Sequence, residues 1–281
     1  MLTIIVVSNR SENLRRLQDN LEATICVPFQ FLTTQAFEKG LASSYNQLAS
    51  ESTGEFLCFV HDDVLFHSQN WGENLMTLLE DNSIGMIGIM GGRYKSLFGT
   101  SWRGGEISSY RMQVKDGVEG GKLLVSNPSN KKCDEVVCLD GAFLACTKKH
   151  WQQFPFDEDR FNGFHFYDLD ISLQMHSAGL KNVVTYDILL EHFSQGKPST
   201  VYLTEFLKFQ QKWMANLPLC VDDVSKKQKE HWDGYAMAET LSLMKRLSFS
   251  RTERRKQLQQ YHVLYKNWYH VLRSFYFGFL K

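Results

Sequence analysis

The sequence lacks the features that define several classes of protein. Its 31 Lys and Arg residues balance its 31 Asp and Glu residues, so it has no basic excess of the kind that general nucleic-acid binders carry. It contains no internal repeat and no linker rich in proline, glycine and serine, and its apolar runs have the length of strands, too short to cross a bilayer. With 43% hydrophobic and 22% charged residues, its composition is that of a folded globular protein. We therefore predict a folded chain with no nucleic-acid partner.

The N-terminus also lacks a signal for secretion. No basic segment precedes its first apolar run, and this run ends at Val7, which makes it shorter than the core of a signal peptide. We therefore expect a cytoplasmic protein. The six cysteines form no CxxC pair, and their scattered spacing predicts reduced, mostly buried thiols. A zinc site made by Cys133, Cys138 and Cys146 would need a fourth ligand and tighter spacing, so we do not favour it.

Strand-like and helical patterns alternate over the first part of the chain. Apolar runs predict strands over 2–7, 25–32, 56–60 and 84–89, and apolar residues at helical spacing predict helices after the first strand and over 35–50 and 71–79. Strands that alternate with helices of this length indicate βαβ units. We therefore predict an α/β fold, with a mainly parallel sheet flanked by helices.

The middle and the end of the chain have different patterns. Ten of the 19 glycines lie between Gly85 and Gly121, which predicts loops and short irregular strands that could form a lid. Strand-like runs return over 136–139, 142–146 and 183–190, with a helix over 166–177. From residue 199 the pattern is mostly helical. We therefore expect one domain over 1–197 and a helical C-terminal extension over 198–281.

Two acids follow the strand over 56–60, in the tripeptide His61-Asp62-Asp63. Ligands of open α/β sheets bind outside the carboxyl ends of the strands, which is where these acids emerge. Adjacent carboxylates repel each other unless water or a cation faces them, and a divalent ion that bridges carboxylate and phosphate oxygens would explain the pair. The alternative is that Asp62 caps the next element and Asp63 is solvated.

Two later segments also contain candidate functional residues. Asp168 and Asp170 lie at the start of the helix over 166–177 and could be partners of the helix dipole, or one of them could be a general base. His192 follows the strand-like run over 183–190, and a lone histidine is more often structural than a ligand. Neither segment is specific when taken alone.

In their order and spacing these segments resemble the family 2 glycosyltransferases of the Rossmann-like GT-A fold. The resemblance covers about residues 1–216, and its most specific parts are the strand that ends in His-Asp-Asp-Val and the Asp-Leu-Asp helix start with the downstream histidine. It implies that His61-Asp62-Asp63 corresponds to the D-x-D motif of the family, with His61 in place of the first acid. It further implies that Asp63 and His192 hold a divalent cation, Mn²⁺ or Mg²⁺, and the histidine favours Mn²⁺.

The resemblance also implies roles for the remaining candidates. Tyr167-Asp168 corresponds to the Glu-Asp pair of the family, so Asp168 becomes the catalytic base, with Asp170 structural. The nucleotide sugar is expected at Ser8, Asn9, Arg10, Asn46 and Asp62, and the acceptor at Asp140, Gly141, Trp102 and Tyr167.

The implied activity is inverting, metal-dependent transfer of a sugar from a nucleotide-diphosphate sugar to an acceptor hydroxyl. The acceptor would be a glycan or a lipid-linked molecule, in cell-surface glycan or polysaccharide synthesis. Two alternatives stay open, namely a metal-dependent nucleotidyltransferase and a non-catalytic interaction protein on the same fold.

Residues 245–281 combine positive charge with aromatic side chains. They contain nine Lys and Arg residues against one acid, Glu253, which gives a net charge of +8. Their aromatic residues include Tyr261, Tyr265, Trp268, Tyr269, Phe275, Tyr276, Phe277 and Phe279. This composition suits peripheral contact with an anionic membrane at its inner face. It suits equally well a segment that packs onto the catalytic domain or onto a second subunit.

Overall fold

The computed structural model describes residues 1–35, 39–106, 109–118, 120–194 and 196–265. The strands are β1 (Leu2–Val7), β2 (Phe29–Thr34), β3 (Phe56–Val60), β4 (Val64–Phe66), β5 (Ile84–Gly88), β6 (Met90–Gly92), β7 (Tyr94–Lys95), β8 (Tyr110–Asp116), β9 (Lys122–Ser126), β10 (Cys133–Val136), β11 (Cys138–Leu139), β12 (Phe143–Thr147), β13 (Lys181–Thr185), β14 (Leu190–His192) and β15 (Leu219–Cys220). The helices are α1 (Ser11–Thr24), α2 (Leu41–Glu51), α3 (Trp71–Leu79), α4 (Lys148–Gln153), α5 (Tyr167–Ser177), α6 (Thr200–Trp213), α7 (Lys226–Arg246) and α8 (Arg251–Leu264).

The described residues form two compact units. The first contains Met1–Gly91 and Arg111–Gly196, and the second contains Gly92–Tyr110 and the described residues after Gly196. Residues 92–110 therefore group with the helical C-terminal part, whereas the sequence pattern assigned them to the first domain. Backbone pairing explains this grouping, because β7 forms a two-stranded sheet with β15.

The main sheet of the first unit has seven strands in the order β10-β13-β5-β12-β3-β1-β2. Strand β1 runs parallel to β2 and β3, and β13 runs parallel to β5. Strand β12 is antiparallel to both of its neighbours, and β10 is antiparallel to β13. The predicted α/β fold is confirmed, but the sheet is mixed rather than mainly parallel. An apolar run shows that a strand is buried on both faces, but it contains no information about direction.

Most element boundaries follow the sequence pattern closely. Strands β1 and β3 and helix α3 have the predicted bounds, and α5 begins one residue later than predicted. Helix α2 begins at Leu41 because Gly40, with φ +87°, turns the chain immediately before it. The predicted strand over 183–190 is instead two strands, of which β13 lies in the main sheet and β14 in a second sheet.

An aromatic cluster forms the part of the core that supports the start of α5. The ring of Tyr45, from α2, lies 5.1 Å from Phe59 on β3 and 5.6 Å from Tyr167 on α5. The Phe156 ring lies 4.9 Å from Phe59 in an edge-to-face arrangement. These four rings are almost fully buried, and buried aromatic pairs in tilted geometry stabilise a core beyond the area they bury. The cluster therefore fixes the first turn of α5 relative to the end of β3.

The second unit consists mainly of helices packed around a buried carboxylate. Asp233, on α7, is fully buried and accepts hydrogen bonds from the hydroxyls of Tyr94 at 2.6 Å and Tyr265 at 2.8 Å. Tyr261, on α8, is fully buried, and its ring lies 5.3 Å from that of Phe98. Two of the eight aromatic residues named above, Tyr261 and Tyr265, thus pack inside this unit. The other six, Trp268, Tyr269, Phe275, Tyr276, Phe277 and Phe279, lie outside the described residues.

Two expectations about composition can be compared with the structure. Within the described ranges, no helix is both long enough and apolar enough to span a membrane. All six cysteines are free thiols. Cys58, Cys138 and Cys146 are buried, Cys133 and Cys220 are half-buried, and Cys26 is exposed.

Candidate active site

A strand pairing brings the two predicted metal ligands together. Strand β14 pairs with β4, and this register aligns His192 with Val64, the residue after Asp63. The backbone N–H of Phe193 donates a 2.9 Å hydrogen bond to the Asp63 carbonyl. As a result His192 Nε2 lies 3.3 Å from Asp63 Oδ1. The two residues are far apart in the sequence, and only the second sheet makes them neighbours.

His61 joins this pair, so that three side chains could hold one ion. One ligand atom from each of His61, Asp63 and His192 lies within 4.8 Å of the others. In the described part of the chain this is the one group of three or more His, Cys, Asp or Glu residues with such a geometry. Bonds of roughly 2.0–2.3 Å to a central ion place ligand atoms up to about 4.6 Å apart, which is close to the 4.8 Å within which these atoms lie. The spacing and the oxygen and nitrogen donors therefore fit a divalent ion such as Mn²⁺.

The pKa shifts of Asp63 and His61 favour the forms that ligate metals. Burial opposes ionisation of Asp63, but hydrogen bonds from His192 and Ser194 outweigh it and hold the Asp63 pKa below its usual range. Burial, together with the nearby His192, lowers the pKa of His61. Burial lowers the pKa of His192, but the hydrogen bond to Asp63 and the charge of Asp140 outweigh it and raise that pKa. A carboxylate and a neutral imidazole are the forms that ligate metals.

Three of the predicted nucleotide-binding residues meet at the ends of β1 and β3. Asp62 accepts hydrogen bonds from Arg10 Nε at 3.0 Å and from Arg10 Nη2 at 2.6 Å. The Ser8 hydroxyl also donates to Asp62. The Arg10 side chain is still 58% exposed, and Asn9 beside it is exposed. Asp62 therefore holds the Arg10 guanidinium in place, while part of the guanidinium remains open to solvent. This exposed part is a suitable partner for an anion.

Asn46 has a different environment. Its Nδ2 donates 2.8 Å hydrogen bonds to the Phe156 carbonyl and to Glu158, and its Oδ1 accepts from Trp151 Nε1 and from the Phe156 N–H, both at 3.1 Å. Both donors of the amide are thus used within the protein. These contacts attach α2 to the segment after α4, and they leave the predicted nucleotide contact of Asn46 without an available donor.

A chain of short contacts connects the cluster to the predicted base. His61 Nε2 lies 2.9 Å from the Tyr167 hydroxyl, which lies 3.2 Å from the Gly141 carbonyl oxygen. The Gly141 N–H donates a 3.0 Å hydrogen bond to Asp168 Oδ2. Asp140 Oδ1 accepts from the Ala142 N–H at 3.0 Å and so closes this turn. Three of the four predicted acceptor residues therefore surround Asp168.

Asp168 itself has the properties of a general base. Burial, and next the negative charge of Asp140, raise the pKa of Asp168 to about 7, although backbone N–H donors at the start of α5 lower it. A base that titrates near neutral pH is well matched to proton transfer at that pH. Asp170 is fully buried and accepts a 2.8 Å hydrogen bond from Gln174 Nε2. Its contacts are those of a structural residue.

Sequence reasoning missed Phe164 and Ser194. The Phe164 ring is 47% exposed and its centroid lies 5.8 Å from that of His61, so an apolar face is open beside the cluster. The aromatic run that contains Phe164 could have indicated it. The Ser194 hydroxyl lies 3.2 Å from His192 Nε2, and no sequence pattern marks it.

Trp102, the remaining acceptor candidate, belongs to the second unit. Its ring contacts Tyr110 edge-on at 5.6 Å, and the Arg103 guanidinium lies 5.0 Å above it. An acceptor contact of Trp102 stays a prediction.

The mixed α/β sheet, with acids at the end of the central strand β3, has the GT-A fold of known glycosyltransferases. The chain belongs to the glycosyltransferase-like family, whose model matches residues 3–217. This membership confirms the resemblance seen in the sequence.

Solved structures of glycosyltransferases share the fold. A crystal structure of GalNAc-T7 with UDP, GalNAc and Mn²⁺ aligns with a TM-score of 0.57 at 11% identity, covering 92% of this chain and 54% of that one. A crystal structure of residues 1–349 of S. aureus TarS in complex with UDP-GlcNAc aligns with a TM-score of 0.52 at 12% identity, covering 92% of this chain and 79% of that one. This chain thus spans about half the length of the GalNAc-T7 chain. No curated protein matches the sequence significantly.

Proposed function

We propose that this protein is an inverting, metal-dependent glycosyltransferase that moves a sugar from a nucleotide-diphosphate sugar to an acceptor hydroxyl. The main support is the short path from the His61, Asp63 and His192 cluster through Tyr167 and Gly141 to Asp168. Direct displacement needs a positively charged site for the leaving diphosphate and a base for the acceptor proton, close to each other. The path joins the candidate metal site to the candidate base, Asp168.

The roles of the residues follow from their chemistry. Asp63 and His192 hold a divalent ion, Mn²⁺ or Mg²⁺, and that ion neutralises the charge of the diphosphate when bound. Asp168 accepts the proton of the acceptor hydroxyl at its carboxylate, and the Gly141 N–H keeps this carboxylate oriented. Asp168 is half-buried, and burial is the main cause of its raised pKa, so its carboxylate is a stronger base than an exposed aspartate.

The donor is proposed to bind at Ser8, Asn9, Arg10 and Asp62. The guanidinium of Arg10 is exposed and anchored by Asp62, which suits an anionic group of a nucleotide. The two aligned glycosyltransferases were crystallised with UDP or UDP-GlcNAc. We infer from the shared fold that this chain also takes a nucleotide-diphosphate sugar.

The acceptor is proposed to bind over Asp140, Gly141 and Tyr167, next to Asp168. The exposed ring of Phe164 adds an apolar face of the kind on which sugar rings stack. A glycan or a lipid-linked sugar would fit this surface, and the biological role would be synthesis of cell-surface glycan or polysaccharide. Contact of Trp102 with the acceptor is part of the same proposal.

The proposal is tested by mass spectrometry of reactions with a panel of nucleotide sugars and simple glycoside acceptors. We expect transfer from at least one donor in the presence of Mn²⁺, and loss of transfer with EDTA or in Asp63→Ala. Asp168→Asn keeps the shape of the side chain but removes its basicity, so the rate should fall by roughly 10²–10⁴. Asp159→Asn, at an exposed aspartate, is the matched control.

Three results would contradict this function. Transfer that is unaffected by EDTA and by Asp63→Ala would remove the metal assignment. Full activity of Asp168→Asn with an inactive Asp170→Asn would move the base to Asp170. Turnover of nucleoside triphosphates with release of pyrophosphate, or no turnover of any donor, would favour the nucleotidyltransferase or the non-catalytic alternative.

A further inference from the structure

His61 occupies the position where the D-x-D motif has its first acid. Its imidazole lies within the cluster of candidate metal ligands, together with Asp63 and His192. We propose that His61 is a third metal ligand and that Tyr167 is the positioning residue that orients it, so that the site selects transition ions such as Mn²⁺ over Mg²⁺. This inference rests on the proposed metal site of Asp63 and His192. It assigns functions to two residues at which the chain departs from its family.

The first argument is the hydrogen bonding of Tyr167. This hydroxyl is buried, and it contacts the Gly141 carbonyl oxygen at 3.2 Å and His61 Nε2 at 2.9 Å. A carbonyl can only accept, so the single proton of Tyr167 is donated to Gly141, and a lone pair of its oxygen accepts from the Nε2–H of His61.

The second argument follows from this assignment. With its proton on Nε2, a neutral His61 has its lone pair on the other ring nitrogen. Ligating histidines in proteins commonly donate their second N–H to an acceptor, which fixes both the tautomer and the orientation of the ring. Tyr167 supplies that acceptor here. The aromatic cluster of Tyr45, Phe59 and Phe156 holds the Tyr167 ring in place, so the acceptor is rigid.

The third argument concerns the choice of metal. Mg²⁺ prefers oxygen ligands and keeps most of its water, whereas imidazole nitrogens suit first-row transition ions. One imidazole beside Asp63 already favours Mn²⁺ modestly. A second imidazole gives the ion a further nitrogen donor in place of a water oxygen and therefore strengthens this preference.

The test uses the full chain, freed of metal by a chelator, and the metal alone as the probe. Electron paramagnetic resonance of Mn²⁺ measures its affinity, and added Mg²⁺ measures the competition. Pulsed resonance then detects the nitrogens bound to Mn²⁺. The variants are His61→Ala, His61→Asp, Tyr167→Phe, Asp63→Ala and His192→Ala. His231→Ala, at an exposed histidine of α7, is the control for nonspecific imidazole binding.

We expect two coordinated imidazoles in the wild-type protein and one in His61→Ala. His61→Asp should lower the Mg²⁺ concentration that displaces half of the Mn²⁺ by about tenfold or more. Tyr167→Phe keeps both imidazoles but orients one of them less well. Its Mn²⁺ affinity should fall by about tenfold, within the range for loss of an outer-shell partner, while its Mg²⁺ affinity changes less. A general structural defect would lower the affinities for Mn²⁺ and Mg²⁺ equally.

The outcomes separate this inference from the proposed function. If Asp63→Ala and His192→Ala lose Mn²⁺ while His61→Ala keeps its affinity and its nitrogen signal, the His61 ligand is wrong and the metal site stands. If Asp63→Ala also binds Mn²⁺ normally, the metal site itself is wrong. An equal fall of the Mn²⁺ and Mg²⁺ affinities in Tyr167→Phe would reject the positioning role of Tyr167. Thermal melting of each variant identifies those that do not fold, and Tyr167→Phe, which loses only a hydroxyl, keeps the test decisive.

Discussion

Asp168 and Asp140 show how the environment of one residue sets its chemistry. Asp168 loses water by burial at the start of α5, and the charge of Asp140 further disfavours its ionisation, so the pKa of Asp168 is about 7. An aspartate in water titrates near 4. The sequence identifies both acids, but the tertiary structure brings the Asp140 turn next to Asp168. The pair therefore gives the candidate site a carboxyl group that ionises as the pH rises through about 7.

This environment predicts the pH dependence of the reaction. The base acts as a carboxylate, so kcat/KM should rise with pH through about 7 and then level off. Asp140→Asn keeps the hydrogen bond to the Ala142 N–H but removes a negative charge, so the rising limb should move to lower pH. The shift will be partial, because burial is the larger cause of the raised Asp168 pKa. The measurement is a pH–rate profile of both proteins, and an unchanged limb would show that Asp168 is not the titrating group.

The same pKa shift predicts a change in stability. Because the folded pKa of Asp168 lies above the unfolded one, the stability associated with this group is complete below about pH 4 and is lost as the pH rises through about 7. Asp168→Asn does not ionise, so at pH 8 it should unfold at an equal or higher denaturant concentration than the wild type. Near pH 4 the two proteins should be alike. A variant that is less stable at pH 8 would contradict the assigned pKa.

At the scale of the elements, the turn between β11 and β12 fits closely against α5. A Cβ atom on Gly141 would lie 2.2 Å from the Tyr167 hydroxyl oxygen and 3.2 Å from Asp168 Cβ. Gly141 does not have a positive φ, so alanine is compatible with the backbone there. The glycine is therefore needed for the close approach of the two side chains rather than for an unusual conformation.

Gly141→Ala should consequently impair the site without unfolding the protein. We expect the new methyl group to displace the Tyr167 hydroxyl and to lower kcat by at least about tenfold, because small displacements of catalytic groups cost large factors in rate. Gly196→Ala, where a Cβ would meet no atom within 4 Å, is the matched control. The measurements are initial rates and thermal melting. Wild-type rates in Gly141→Ala would show that the position of Tyr167 does not matter.

Asn46 gives a second prediction at this scale. Asn46→Ala should lower the free energy of unfolding by roughly 2–4 kcal/mol, since it leaves Trp151 Nε1 and the Phe156 N–H without their shared acceptor. Gln47→Ala, at an exposed neighbour on α2, should change it by less than about 0.5 kcal/mol. Nucleoside diphosphate binding by the folded fraction of Asn46→Ala decides between the two roles. A lost affinity with unchanged stability would support the nucleotide contact and reject the structural role.

At the scale of the whole molecule, α8 is an integral part of the second unit. Its Gln257 exchanges two hydrogen bonds with Gln210 of α6, at 2.7 and 2.9 Å, and its Tyr261 is fully buried. A chain that ends at Ser250 loses these contacts, whereas a chain that ends at Tyr265 keeps them. We expect the chain that ends at Ser250 to melt at least several degrees lower than the chain that ends at Tyr265.

The chain that ends at Tyr265 is therefore the correct comparison for membrane binding. We expect the full chain to float with anionic vesicles at low salt, and this chain to float less, because it lacks six aromatic residues and three basic ones. High salt should weaken the binding. Flotation of neither protein, with a dimer that splits on truncation, would favour the subunit interface instead.

The sequence predicted the central features of the fold because they depend on local patterns. Apolar runs located β1 and β3, helical spacing located α3, and the residues after β3 identified the functional edge of the sheet. The direction of β12 was not predictable, since hydrophobic periodicity does not encode strand polarity. The grouping of 92–110 with the C-terminal helices depends on the pairing of β7 with β15, which joins residues far apart in the chain.

The sequence likewise predicted one part of the candidate site, and only the tertiary structure decided the other. The residue types and their order identified Asp63, His192 and Asp168, because carboxylates and imidazoles at strand and helix ends are visible in one dimension. The structure alone placed His61 in the cluster, turned Asn46 toward Trp151 and Phe156, and joined Tyr167 to His61 and Gly141. Most of these relations join segments more than a hundred residues apart, and the contact of Tyr167 with Gly141 joins residues 26 apart. Packing of the whole core fixes them, and no local pattern in the sequence contains that information.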